Sequence, residues 1–186
     1  MEIRNAVESD FDEITAIYNE VLTTSTAIYN DIPVTRANRI EWWRDRLRLG
    51  YPMLVAVDDG RIAGFATFGD FRPSAGYRFT VECTIHIHSS ARGRGIGTRL
   101  LNQIADRARA LGKHSMLAGV DSENKASLRF LERFGFRRVA YFPEVGYKFE
   151  RFLNLHFLQY WLTPPANEAS VASEVPAPHT PSQHPS

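Results

Sequence analysis

Apolar and polar positions recur with two different periods along residues 1–163, and the changes of period mark out the elements. Residues 2–7 read as a strand. From Ser9 onward, Phe11, Ile14, Ile17, Tyr18, Val21 and Leu22 fall on one helical stripe, and Ser9 with Asp12 three residues later predicts a capping box. A second helix starts near Thr35, places Ile40, Trp43 and Leu47 on its apolar side and ends at Gly50. Its arginines Arg36, Arg39, Arg44, Arg46 and Arg48 read as a solvated face, with Arg39 a candidate for contact with a partner subunit and Trp42 for an interface or a pocket lid. Met53–Val57 reads as a strand, Asp58-Asp59-Gly60 as a hairpin turn, and Arg61–Phe71 as the returning strand.

Strict alternation follows from Phe79 to His88. Phe79, Val81, Cys83, Ile85 and Ile87 point one way; Thr80, Glu82, Thr84, His86 and His88 point the other. A third helix spans Gly95–Leu111, with Ile96, Leu100, Leu101, Ile104, Ala108 and Leu111 on one face. Ser115–Val120 is a strand, Asn124–Phe134 a helix closed by Gly135, and Phe136–Glu144 and Tyr147–Tyr160 two final strands. The order β-α-α-β-β-β-α-β-α-β-β predicts a mixed α/β layer fold.

Composition narrows the classes of function. A net charge of +1 gives no general field for nucleic acid, and no apolar run approaches the ~20 residues that cross a bilayer. The single cysteine, Cys83, excludes an intrachain disulfide and reads as a packed, inert thiol. With no leader-like apolar core at Met1, the expected location is the cytoplasm. Six of the ten prolines fall in residues 164–186, which read as a disordered tail after a single domain of residues 1–163.

The chemistry concentrates in Arg92-Gly93-Arg94-Gly95-Ile96-Gly97-Thr98. The segment lies between a strand and an amphipathic helix, where unpaired backbone N–H groups and the helix dipole attract anions. Glycines let a phosphate approach the backbone, and Arg92 and Arg94 add charge-assisted hydrogen bonds. The reading is a pyrophosphate cradle. It is neither a Walker loop, which ends in Gly-Lys-Ser/Thr, nor the Gly-x-Gly-x-x-Gly of a dinucleotide fold. His86-x-His88 lacks the further ligands a metal site needs, so no metal is expected.

This motif, followed by Asn124-x-x-Ser127 and Arg133-Phe134-Gly135-Phe136, resembles the GNAT superfamily of N-acetyltransferases over residues 2–162. Thr26-Ala27-Ile28-Tyr29, Gly50-Tyr51-Pro52, Thr80-Val81-Glu82 and Val145-Gly146-Tyr147-Lys148-Phe149 are similar to the branch that acetylates phosphinothricin and methionine sulfoximine or sulfone. The resemblance implies the acyl-CoA N-acyltransferase fold, with a mixed, mostly antiparallel central sheet flanked by helices. It implies that the strands carrying Glu82 and Ser115–Val120 splay apart. Acetyl-CoA would then lie in the gap, its pantetheine on the backbone of Ile85, His86 and Ile87, its pyrophosphate on Arg92–Thr98, and Asn124 and Ser127 beside it.

Glu82 is the implied base, and a backbone N–H near Ile85 or Ile87 the oxyanion donor. The family's proton donor to the thiolate falls at Leu131, which has no proton to give; Tyr141 or a water is the substitute. Phe149 replaces the His of phosphinothricin-type members, which favours the methionine sulfoximine side of the branch. Arg72 and Arg78 are candidates for an acceptor carboxylate, and Tyr29, Phe71 and Tyr77 for the walls of its pocket. The implied partner is a small-molecule amine, and the implied assembly a homodimer. Two alternatives share the fold: a protein or peptide N-acetyltransferase, and a non-catalytic acyl-CoA sensor.

Overall fold

Residues 1–165 are described by the computed structural model; the expected tail lies, from residue 166 on, outside the described residues. A strand β1 (Glu2–Asn5) is followed by helices α1 (Phe11–Thr24) and α2 (Arg36–Arg48). Next come strands β2 (Met53–Asp58), β3 (Arg61–Asp70) and β4 (Thr80–Ile87), then helix α3 (Ile96–Ala110). Strand β5 (Ser115–Asp121), helix α4 (Lys125–Phe134) and strands β6 (Arg137–Lys148) and β7 (Arg151–Trp161) complete the described chain. The strands form one sheet in the order β1-β2-β3-β4-β5-β7-β6. All neighbours are antiparallel except β4 and β5, which run parallel.

Both faces of the sheet are covered. On one, Phe11, Ile14, Ile17 and Ile40 of α1 and α2 meet Met53, Val55 and Phe65. On the other, Leu100, Leu101 and Ile104 of α3 and Leu128 and Leu131 of α4 meet Leu54, Phe68, Val81 and Met116. Two-sided cover explains why β2 and β3 are nearly continuous apolar runs, while the alternation in β4 sends Val81, Cys83, Ile85 and Ile87 to the α3–α4 core and Glu82, Thr84 and His86 to the other face. The α3 stripe holds as expected from Ile96 to Ala108, whereas Leu111 lies past the helix end and is exposed.

Several local expectations are corrected. The first helix is not capped by Ser9. Asp10 precedes α1 without a side-chain cap to it; its carboxylate accepts from Val7 N at 2.8 Å and pairs with Arg4, which holds a short 3₁₀ turn ahead of α1. Thr35 does cap α2, its hydroxyl accepting from Asn38 N at 3.2 Å. The final hairpin turns at Phe149-Glu150 rather than at Val145-Gly146, and Phe149 and Glu150 have φ of 51° and 59°. Pro143 and Gly146 belong instead to an irregularity within β6, where the register to β7 shifts between Phe142 and Gly146. The Asp59-Gly60 turn has the expected positive φ at both residues.

Candidate active site

The site arises where the sheet comes apart. The parallel pairing of β4 and β5 covers only Thr80–Ser115, Val81–Met116 and Glu82–Leu117. Beyond Glu82 each strand keeps its other neighbour, β3 or β7, and the two diverge. The wedge opens into a cavity of about 1100 Å³ that runs from Glu82 along Cys83–Ile87 to the start of α3. Strand edges in the wedge offer backbone groups to an extended, amide-bearing ligand.

At the far end stand the glycines. Gly93 and Gly95 both have φ of 76°, and Gly95 is the residue before the first turn of α3. Ile96, Gly97 and Thr98 therefore present first-turn N–H groups to the cavity they line. Gly97 also serves packing, since a Cβ there would stand 3.2 Å from the Phe130 ring; its absence lets α3 close onto α4. Arg92 lines the cavity, its Nε donating to Ile87 O at 3.2 Å. Arg94, expected in the cradle, turns away to pair with Asp58 and is not part of the lining. Asn124 and Ser127 flank the wedge from α4, with Asn124 Oδ1 capping the helix through Ser127 N at 3.1 Å.

Glu82 sits at the apex. A Cβ on Gly119 of β5 would lie 3.4 Å from Glu82 Oε1, so the carboxylate leans across the mouth of the wedge. Burial raises its pKa above the ordinary range, and Arg72 pulls it partly back. Arg78 does not pair with it; its guanidinium lies 4.4 Å over the Phe79 ring and donates to Ala75 O. Phe71 packs on Tyr77 and Phe157 at the rim, outside the lining. Tyr29 also lies outside the lining. Its ring covers Gly146 so closely that any Cβ there would collide with it, and its hydroxyl donates to Asp121 at 2.8 Å. It is a clasp between the α1–α2 loop and the sheet; Thr26, Ala27 and Ile28 of the same loop line the cavity in its place.

Other groups are quiet. His86 lies between the Tyr18 and Phe65 rings, and burial beside Arg39 and Arg92 pushes its pKa down to about 4, so it is neutral at pH 7. His88 is bonded to Ser90. Burial pushes the Cys83 thiol up to about 12, which keeps it protonated and unreactive. Leu131 is buried against the cavity, as its apolar character requires. Tyr141 is on the outer strand β6, half-exposed against His156, and does not line the cavity, so it is no substitute acid.

Three features escaped the sequence pattern. Arg39 and Arg46 are not solvated: Arg39 is 8% exposed, and both guanidiniums stack on Trp42 inside the cavity. Their spacing with Trp42, i, i+3, i+7, was the available signal of a shared inward face. Asp121 is buried, accepting from Tyr29 and from Glu123 N. Lys148 is buried and donates to the carbonyls of Leu22, Ser25 and Ile28.

Comparison with known proteins places this geometry. The model of the acetyltransferase (GNAT) family matches residues 14–136. The L-methionine sulfoximine/L-methionine sulfone acetyltransferase of Salmonella typhimurium is 44% identical over 162 residues, which are 87% of this chain and 95% of that protein. A solved acetyltransferase of Salmonella typhimurium with its cofactor acetyl-CoA superposes with a TM-score of 0.86 at 43% identity, covering 89% of this chain and 96% of that one. A phosphinothricin acetyltransferase of Sinorhizobium meliloti in complex with acetyl-CoA gives a TM-score of 0.84 at 32% identity, covering 90% and 94%.

Proposed function

The chain belongs to the acetyltransferase (GNAT) family, and from that premise we propose that it acetylates the α-amine of a small amino-acid acceptor of the methionine sulfoximine, methionine sulfone or phosphinothricin type. The observation that carries this reading is the wedge itself. A single cavity joins first-turn amides suited to a diphosphate with a half-buried carboxylate whose pKa is raised. Acetyl-CoA is the acyl donor, and the splayed edges of β4 and β5 suit its pantetheine arm.

The chemistry follows from Glu82. An α-ammonium has a pKa of about 8, so it must lose a proton before attack. Glu82, through a water, takes that proton; the freed nitrogen attacks the thioester carbonyl in a ternary complex. A backbone N–H near Ile85 or Ile87 meets the oxyanion. The oxyanion then collapses, the carbon–sulfur bond breaks, and the extra proton on the attacking nitrogen passes through water to solvent or to the departed sulfur. With Leu131 in the donor position, the thiolate leaves without a protein acid, which the modest basicity of a thiolate beside an alkoxide or amide ion allows.

Two finer readings accompany this one. A homodimer is supported by the exposed apolar residues Tyr141, Phe142, Val145 and Tyr147 of β6 with Phe152 of β7. A cytoplasmic location is supported by the lone cysteine and by the need for acetyl-CoA; no helix among the described residues is long and apolar enough to cross a membrane.

The test is thiol release from acetyl-CoA with methionine sulfoximine, methionine sulfone and phosphinothricin set against a peptide panel. Turnover of the amino acids is expected. Turnover of peptides alone refutes the acceptor, and acetyl-CoA binding with no turnover of any amine refutes the transferase reading.

A further inference from the structure

One wall of the cavity is used neither by the diphosphate cradle nor by the base. Arg39, Trp42 and Arg46 form it from one face of α2. The Arg39 guanidinium lies 4.4 Å from the Tyr18 ring centroid and 4.7 Å from that of Trp42. Arg46 lies 3.6 Å over Trp42. Arg39 donates only to the side-chain oxygen of its neighbour Asn38. Arg46 Nε is buried with no hydrogen-bond partner, and the acid beside it, Asp45, is paired with Arg48. Among the described residues, neither guanidinium has a carboxylate partner.

Two neighbouring cations withdrawn from much of their water, with no carboxylate hydrogen-bonded to either, are costly, and each raises the cost of the other. Burial and the charge of Arg39 push the pKa of Arg46 down to about 10. The cation–π contacts return part of the cost. An anion entering the cavity returns more, because much of the desolvation of Arg39 and part of that of Arg46 has already taken place before it arrives.

Position identifies the anion. A Cβ on Gly69 would lie 3.3 Å from an Arg46 nitrogen, and Gly69 pairs directly across the strands with Glu82. Arg46 thus stands over the β3 position paired with the base, on the side of Glu82 away from Gly119. The diphosphate cradle begins beyond Ile87, five residues further along β4, about 16 Å at the rise of a strand. The anion at Arg46 therefore belongs to the acceptor and not to the diphosphate.

We infer that Arg39 and Arg46 form an anion subsite that takes the carboxylate of an α-amino-acid acceptor and turns its amine toward Glu82. The inference rests on the acetyl-acceptor reading above. It moves the carboxylate from Arg72 and Arg78 to α2. Arg78 is committed to Phe79 and Ala75, and Arg72 is exposed with its charge already felt by Glu82. The specificity that results is for amino acids over simple amines.

The test uses the full chain loaded with coenzyme A, so that nothing turns over. Calorimetry compares methionine sulfone with its decarboxylated amine, 3-(methylsulfonyl)propylamine, on wild type, Arg46→Gln, Arg46→Lys and Arg39→Gln. Wild type should prefer the amino acid by about ten- to a hundredfold, the range of a hydrogen-bonded charge contact. Arg46→Gln should erase that preference and leave the affinity for the amine unchanged; Arg46→Lys should keep part of it. Coenzyme A affinity and melting temperature control for folding. A preference that survives in Arg46→Gln and Arg39→Gln overturns the inference, as does its absence in wild type, which needs no variant to fold. An Arg46-dependent preference without thiol release from any amine keeps the subsite and removes the transferase reading. Thiol release that is indifferent to the carboxylate does the reverse.

Discussion

Lys148 offers a stability test because so much converges on one ammonium. It is 1% exposed, and its Nζ lies 2.5 Å from Leu22 O, 2.9 Å from Ser25 O and 2.7 Å from Ile28 O. These carbonyls belong to the end of α1 and the loop after it, so the lysine closes the helix and ties down a segment that lines the cavity. Each hydrogen bond to a charged group contributes roughly 1.5–3 kcal/mol. Three together give about 5–9 kcal/mol gross, against which burying the ammonium costs several kcal/mol. Lys148→Met keeps the stem's packing and leaves three carbonyls without their donor, so a net loss of about 3 kcal/mol is expected. In a chain of this size that lowers Tm by about 6–12 °C. Differential scanning fluorimetry with and without acetyl-CoA reads the shift. A Tm within about 2 °C of wild type, less than a single kcal/mol would give, refutes the clamp.

Three further outcomes follow from the site. Gly95→Val forces a β-branched residue into φ near 76°, where even an unbranched L-residue is strained by about 1–2 kcal/mol, and it should weaken acetyl-CoA about tenfold by displacing the first-turn amides; unchanged calorimetric affinity contradicts the cradle. Tyr29→Phe removes the hydroxyl from buried Asp121 and should cost about 1–3 kcal/mol in urea unfolding with little change in acetyl-CoA affinity; an unaltered midpoint refutes the clasp. Because burial raises the Glu82 pKa, the folded state binds its proton more tightly than the unfolded chain, and stability from this group falls as pH rises past the unfolded value. Glu82→Gln should therefore be more stable than wild type at pH 7. The acid limb of kcat/KM should lie above the ordinary Glu value of about 4.3, and Arg72→Gln should move it higher by removing the charge that favours the ionised form. A limb that ignores Arg72 would detach it from the base.

Much of the fold was legible because period and burial coincide. The α3 stripe, the alternation of β4 and the Asp59-Gly60 turn each state their conformation locally. The turn into α3 was legible for the same reason: glycines at 93 and 95 before an amphipathic stripe take the positive φ that the turn needs. The errors fall where a distant partner overrides a local signal. Gly146 reads as a turn residue, but its missing side chain accommodates the ring of Tyr29, more than a hundred residues earlier. Phe149-Glu150 looks unlike a turn, yet the hairpin closes there with both residues at positive φ. Arg94 reads as a phosphate ligand until Asp58 is found beside it. Arg39 and Arg46 read as surface charge because arginine on a helix is ordinarily solvated, and that expectation outweighs the i, i+3, i+7 spacing with Trp42 that turns their face into the cavity.

The division of labour between cradle and carboxylate can be read in one experiment on Glu82→Gln. Rapid-mixing of the acetyl-CoA complex with methionine sulfone gives the transfer rate, and calorimetry on the same preparation gives the acetyl-CoA affinity. Loss of a general base should slow transfer by about 10²- to 10⁴-fold while affinity stays within about twofold of wild type. Transfer at the wild-type rate, or affinity falling in step with it, would contradict the account.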